Sequence, residues 1–159
     1  MVVIHLRPIG EVESFLLESL RDAMEEKFGK AVVLQKMEPP LRCYNPLRRQ
    51  FNSTCLLAHL DRRRVTLGVT GFDIYAGSLN FVFGEAELGG SRAVVSTYRL
   101  RGERIVERLI KEATHEIGHV LGLRHCRNRR CVMSFSNSVL EVDAKSDEFC
   151  ERCRRELGL

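Results

Sequence analysis

Apolar positions switch between two periods along the first 35 residues. Val2 to Leu6 form a short apolar run that stops at Pro8 and Gly10. Val12, Phe15, Leu16, Leu20, Met24 and Phe28 then recur at helical spacing, with Gly29 placed to cap the helix. Ala31 to Leu34 resume a short apolar run, so residues 2 to 35 predict a β-α-β unit with a parallel strand pair. Pro39 to Pro46 predict a loop. From about Arg48 to Leu60, the apolar Phe51, Cys55, Leu56 and Ala58 predict a second helix, ended by a turn at Arg62 to Arg64. Val65 to Val69 and Leu79 to Phe83 are β-rich runs, and Ala93 to Tyr98 is a third after the Gly89-Gly90 turn signal; together they extend the sheet. Glu103 to Leu121 carry Ile105, Val106, Leu109, Ile110, Ile117, Val120 and Leu121 at helical spacing between Gly102 and Gly122. Beyond Cys126 the pattern predicts loops and one short helix near Phe149 to Leu157.

These alternations predict an α/β (α+β) chain folded as one domain over residues 1–159, an ordinary size for a single core. Hydrophobic residues make up 44% and charged residues 29%, which excludes a disordered or fibrous chain. No apolar stretch approaches the roughly 20 residues of a membrane helix, and the run at Met1 to Leu6 is too short for a signal-peptide core. A cytoplasmic, monomeric protein without a membrane partner is the expectation. The net charge of +4 includes the basic clusters Arg62-Arg63-Arg64 and Arg127 to Arg130. They are short, lie in predicted turns and have no aromatic interleaving, so a solvated surface is expected rather than a nucleic-acid face.

The helix predicted over Glu103 to Leu121 carries candidate chemistry. Residues four apart stand on one helical face, so His115 and His119 can direct their imidazoles at one ion, with Glu116 beside it. Gly122 suits a left-handed turn because it has no Cβ, and that turn brings His125 back as a third nitrogen ligand. Three protein ligands leave a fourth position for water, the pattern of an open catalytic zinc site. Histidines at this spacing also arise by chance on charged helices, on the order of once in a few hundred chains. Requiring Gly122 and His125 as well lowers that to roughly one in a hundred thousand.

Six cysteines are few for a disulfide scaffold, and four of them form two pairs: Cys126 with Cys131, and Cys150 with Cys153. Two such pairs fit a closed four-thiolate zinc site that contributes to folding. Two disulfides or buried free thiols are the alternatives. Cys126 follows His125 directly, so the structural ion would pin the loop presenting the third histidine. Cys43 and Cys55 stand outside this scheme and are read as small buried apolar residues.

The run His115-Glu116-Ile117-Gly118-His119-Val120-Leu121-Gly122-Leu123-Arg124-His125-Cys126, followed by Cys131-Val132-Met133 and by Cys150 and Cys153, closely resembles the archaemetzincins, metzincin metalloproteases with an added cysteine zinc site. Residues Leu79 to Ala86 and Val95 to Leu100 also resemble that family. The resemblance implies a metzincin-like fold: a twisted sheet with a backing helix and the active-site helix over about 1–122, then a short subdomain over about 123–159. It implies Met133 as the Met-turn residue beneath the zinc. Some metzincins place a tyrosine two residues after that Met; here the position is Phe135, so oxyanion assistance has to come from elsewhere.

The expected activity is a zinc-dependent peptidase holding two zinc ions, with Glu116 as general base and a peptide or protein as substrate. The strand near Ala93 to Tyr98 is the candidate sheet edge on which an extended peptide would add. The alternative is a zinc module that binds a peptide or protein partner without cutting it; such a site would have no need of Glu116.

Overall fold

The computed structural model describes residues 2–159. Strand β1 (Val2–Ile9), helix α1 (Ser14–Phe28) and strand β2 (Gly29–Val33) form the β-α-β unit, with β1 and β2 parallel and Leu6 opposite Val33. Leu16, Leu20, Met24 and Phe28 line the buried stripe of α1, while Phe15 is about half exposed. The stripe therefore runs at a spacing of four.

The next segment departs from the sequence pattern. The stretch read as a loop holds a 3₁₀ turn, Leu41–Cys43, and strand β3 (Tyr44–Asn45). The helix expected from about Arg48 divides into strand β4 (Gln50–Asn52) and a six-residue helix α2 (Ser53–Ala58). Asn52 causes the division: its side-chain oxygen accepts from the Cys55 amide at 2.9 Å and caps the helix there. Phe51 falls in the strand and packs on Tyr44 and Phe72. Strands β5 (Thr66–Thr70) and β6 (Ile74–Tyr75) follow. Leu79 to Phe83 make no strand. The short strand β7 (Gly84–Ala86) begins just after them and is followed by β8 (Arg92–Ser96).

The main sheet has the order β2-β1-β5-β8-β7, parallel except for β7, which runs antiparallel to β8 with Gly84 opposite Val95. Helices α1 and α3 (Ile105–Val120) cover one face over Leu6, Leu67, Val69, Ala93 and Val95. Ile9 and Val94 look the other way, into a second core with α2 and the small sheet β3-β4-β6. Coverage of both faces explains why all of β5 is buried and reads as a continuous run. It also corrects the expected edge: β8 lies between β5 and β7, so the Ala93 to Tyr98 run is interior, and its end forms a 3₁₀ turn, Tyr98–Leu100. The edge beside α3 is β7.

After Gly122 come α4 (Val139–Ala144), which the periodicity did not predict, and α5 (Glu151–Leu157), which it did. Ser138 caps α4 by accepting from the Glu141 amide. Among the described residues no helix is long and apolar enough to cross a membrane.

Candidate active site

Helix α3 enters the core with Leu109, Ala113 and Ile117 against the sheet. Its other face carries Glu112, His115, Glu116 and His119 into a cleft of about 430 Å³ walled by β7 and by Phe81, Phe83, Phe135 and Asn137. Gly122, at φ 106°, turns the chain after the helix. Its amide donates to His119 O and the Leu123 amide to Gly118 O, both at 2.9 Å. The reversal sets His125 with its ring centroid 5.3 Å from that of His115 and 4.9 Å from that of His119. All three histidines read from the sequence come together.

Backbone carbonyls fix the tautomers of His115 and His119. His115 Nδ1–H donates to Val132 O at 2.8 Å and His119 Nδ1–H to Leu123 O at 2.7 Å. Both Nε2 atoms are therefore left as bare lone pairs, yet they stand 3.1 Å apart. Two acceptors at that distance repel unless a cation lies between them. The edge of a tetrahedron with Zn–N of about 2.0 Å is about 3.3 Å. Burial holds the His115 imidazole well below its ordinary value, with the Lys145 charge next; His125 is lowered by the same two causes, and His119 by burial first. The residues present thus fit a metal: three neutral imidazoles, two of them aimed by carbonyl partners.

Glu116 is buried beside this triad. Burial first, then the neighbouring Glu112, push its carboxyl well above the usual carboxylate range. A Cβ at position 84 would come within 2.7 Å of Glu116 Oε2, so the glycine of β7 leaves the room that this carboxylate occupies. Met133 is fully buried under the helix and fills the space that Gly118 leaves: a side chain at 118 would overlap Met133 Sδ and approach Phe149 Cε1 within 3.1 Å. Phe135 lies with its ring centroid 5.2 Å from that of His125.

The four C-terminal cysteines also converge. Cys126 and Cys150 sulfurs are 3.8 Å apart, as are those of Cys131 and Cys153. With Zn–S near 2.3 Å, the edge of a tetrahedron is about 3.8 Å. Hydrogen bonds from the Cys153 amide and from neighbouring thiols bring Cys150 down to about 7 against the effect of burial. Arg152 Nη2 donates to Cys126 Sγ at 3.3 Å, which compensates negative charge on the cluster. By contrast, Cys43 and Cys55 are joined in a disulfide, which corrects their reading as lone apolar residues; only Cys43 is fully buried.

Two site neighbours escaped the sequence reading. Glu112 is buried one helical turn before Glu116, and Lys145 Nζ lies 3.0 Å from Glu112 Oε2 while donating to Ser134 O, just past Met133, at 3.0 Å. The i, i+4 spacing of Glu112 and Glu116 was available as a signal; nothing around Lys145 marks it. Gly84 was likewise invisible, because its role is the space it leaves.

The model of peptidase family M54 matches residues 43–158. The chain is 54% identical over 154 residues to the archaemetzincin of Archaeoglobus fulgidus, covering 94% of this chain and 95% of the relative. A crystal structure of archaemetzincin from Archaeoglobus fulgidus complexed with malonate superposes with a TM-score of 0.93 at 51% identity, covering 98% of this chain and 99% of that one. A zinc-dependent peptidase from Methanocorpusculum labreanum superposes with a TM-score of 0.88 at 29% identity, covering 97% and 99%. On these matches and on this site, the chain belongs to peptidase family M54, the archaemetzincins, and is a zinc metallopeptidase.

Proposed function

We propose that this protein hydrolyses peptide bonds as a metzincin-type peptidase, with Glu116 as the proton-transferring base and two zinc ions per chain. The facing Nε2 lone pairs of His115 and His119, with buried Glu116 beside them on the cleft floor, carry this reading. His115, His119 and His125 would hold the first ion and Cys126, Cys131, Cys150 and Cys153 the second, with Met133 as the Met-turn beneath the histidines. When bound, the first zinc supplies Lewis acidity to the scissile carbonyl and lowers the pKa of water towards about 7.

The chain's own groups do the rest. Glu116 would take the proton of the attacking water and return it to the leaving amine, a role open to a carboxyl that burial and Glu112 hold above the usual carboxylate range. The outer edge of β7 offers main-chain groups to an extended peptide or protein substrate. Phe81, Phe83 and Phe135 give the cleft apolar walls for its side chains. We read residues 1–159 as one monomeric domain working in the cytoplasm without a nucleic-acid partner. Its first subdomain, about 1–122, carries the sheet and helix α3, and its second, about 123–159, carries the cysteine cluster.

The test is Glu116→Gln against wild type at equal zinc content on a peptide library. Turnover should fall by roughly 10²–10⁴-fold, as expected for loss of a general base. Near-wild-type turnover in the variant would remove Glu116 from the reaction. A wild-type protein that loads zinc and cleaves nothing would leave the binding-module reading standing.

A further inference from the structure

A second set of soft ligands lies in the second core, on the face of the main sheet opposite α3. Cys55 and His59 are four residues apart, at the first turn and the C-cap of α2, and so share one helical face. Cys43 reaches them from the 3₁₀ turn Leu41–Cys43. The two sulfurs and a ring nitrogen of His59 all lie within 4.8 Å of one another, and Cys43 Sγ is 3.8 Å from His59 Nδ1. In a tetrahedral zinc shell with Zn–S near 2.3 Å and Zn–N near 2.0 Å, sulfur and nitrogen ligands are about 3.5 Å apart and two sulfurs about 3.8 Å, so His59 already stands near ligand range of Cys43, and the two bonded sulfurs have to part once their bond is reduced. A disulfide needs no imidazole beside it, and this one has an exposed imidazole at its rim.

We propose that Cys43, Cys55 and His59 form a redox-gated site for a thiophilic d¹⁰ cation such as Zn²⁺, closed while the disulfide stands and opened by its reduction. In the opening step a thiol reductant supplies two electrons and two protons: the Cys43–Cys55 bond breaks, two thiols form, and two reductant thiols become one disulfide. Cation binding then releases both protons, because the ligands are thiolates. His59 Nδ1 leaves the Cys55 carbonyl oxygen, which is 3.0 Å away, and its proton passes through solvent to Nε2, so that Nδ1 offers a lone pair to the cation. Cys43 is buried, so the cation enters from the His59 and Cys55 side, with solvent as the fourth ligand. This site is independent of peptidase activity and of the ion count at the two other clusters.

The experiment takes full-length, zinc-loaded protein with and without a phosphine reductant, which becomes its oxide as water provides the oxygen and the two protons. Freed thiols are counted by alkylation, folding is followed by a melting curve, and Zn²⁺ uptake is titrated against a chromophoric chelator. Reduced wild type should bind one more Zn²⁺ per chain than the untreated protein. Cys43→Ser with Cys55→Ser should gain none, and His59→Ala, which keeps the disulfide and the fold, should bind the extra ion at least about tenfold more weakly after reduction. The proposal is overturned if reduction frees the two thiols without added uptake, if the double-serine variant gains the ion, or if His59→Ala binds it as tightly as wild type. It is equally overturned if the phosphine leaves the disulfide intact or the reduced chain is unfolded, since the gate then does not exist.

Discussion

At the scale of single residues, Glu116, the proposed base, is positioned by an absence and a neighbour. Gly84 leaves room for Glu116, and a Cβ there would also approach Val94 O within 2.5 Å. Gly84→Ala should lower kcat by at least about tenfold with zinc retained, because a displacement of about 1 Å at a reacting group can cost 10²-fold; unchanged kcat would show that Glu116 has slack. The neighbour is the Glu112–Lys145 pair, both side chains almost fully enclosed. Burial pushes the Glu112 carboxyl up, and the Lys145 ammonium, 3.0 Å from Oε2, opposes it. Lys145→Met strands a buried carboxylate and should destabilise by about 3–5 kcal/mol at neutral pH. The sign of its pH dependence follows from a folded pKa raised above the unfolded value. The variant should be nearest wild type below about pH 4.3, where Glu112 is protonated in both states, and should fall away as pH rises through the folded value. Adding Glu112→Gln should recover most of the loss, since a neutral pair removes the stranded charge. Denaturant unfolding at successive pH values reads all three proteins, and a variant penalty that shrinks as pH rises would refute the assignment.

At the scale of elements, α1 and α3 were legible because each buries a continuous apolar stripe, and β5 because it is buried on both faces. The wall of the cleft opposite α3 was not. Strand β7 is Gly-Glu-Ala, without β-branched or aromatic residues. The run Leu79 to Phe83 has β composition but spends its aromatics on the cleft wall and on each other, with the Phe81 and Phe83 centroids 5.2 Å apart. The convergence of His115, His119 and His125 was legible, because helical spacing and the turn at Gly122 dictate their meeting; the Cys43–Cys55 disulfide was not, because its partners sit on elements whose packing no local pattern reveals. Helix α4 is also invisible to periodicity: of its six residues only Val142 is buried, and Asp143 ties it to α3. Arg108 donates to Asp143 through Nε and Nη2, both at 2.8 Å, and these hydrogen bonds hold the Asp143 carboxyl below its ordinary value. A lowered folded pKa contributes stability above the unfolded value that is lost as pH falls through the folded one. Asp143→Asn should therefore cost about 1 kcal/mol at pH 7, with the difference from wild type shrinking as pH falls through the folded pKa of Asp143. Equal stability at pH 7 would show that the pair contributes nothing.

At the scale of the whole molecule, the proposed function divides the work between the cysteine cluster, for folding, and the histidine cluster, for chemistry, and the joint between them is the His125-Cys126 peptide. Helices α4 and α5, with six and seven residues, are too short to stand alone. The buried part of the last segment is largely Cys126, Cys131, Val132, Met133, Phe149 and Cys153, so the thiols themselves form much of its core. Few backbone bonds knit it: Cys126 N–H to Met133 O, Val132 N–H to Glu148 O and Ser146 N–H to Arg130 O. Cys150→Ser should accordingly cost at least about 3 kcal/mol, because ligation energy in such a segment is folding energy, and should lower the melting temperature by roughly 6–12 °C for a chain of this size. It should also weaken the histidine site, by a definite route: Val132 O, which aims His115 through Nδ1, lies between Cys131 and Met133 and moves when the cluster loosens. His125→Ala has the opposite profile. It removes one nitrogen ligand on the open side of the cleft, so zinc affinity there falls directly while the sheet, α3 and the cysteine cluster keep their contacts and the melting temperature stays within a few degrees of wild type. Melting curves and zinc titrations on both variants separate the roles: if Cys150→Ser melts like wild type while His125→Ala unfolds, the cysteine cluster is not what holds the C-terminal third, and the histidine site is.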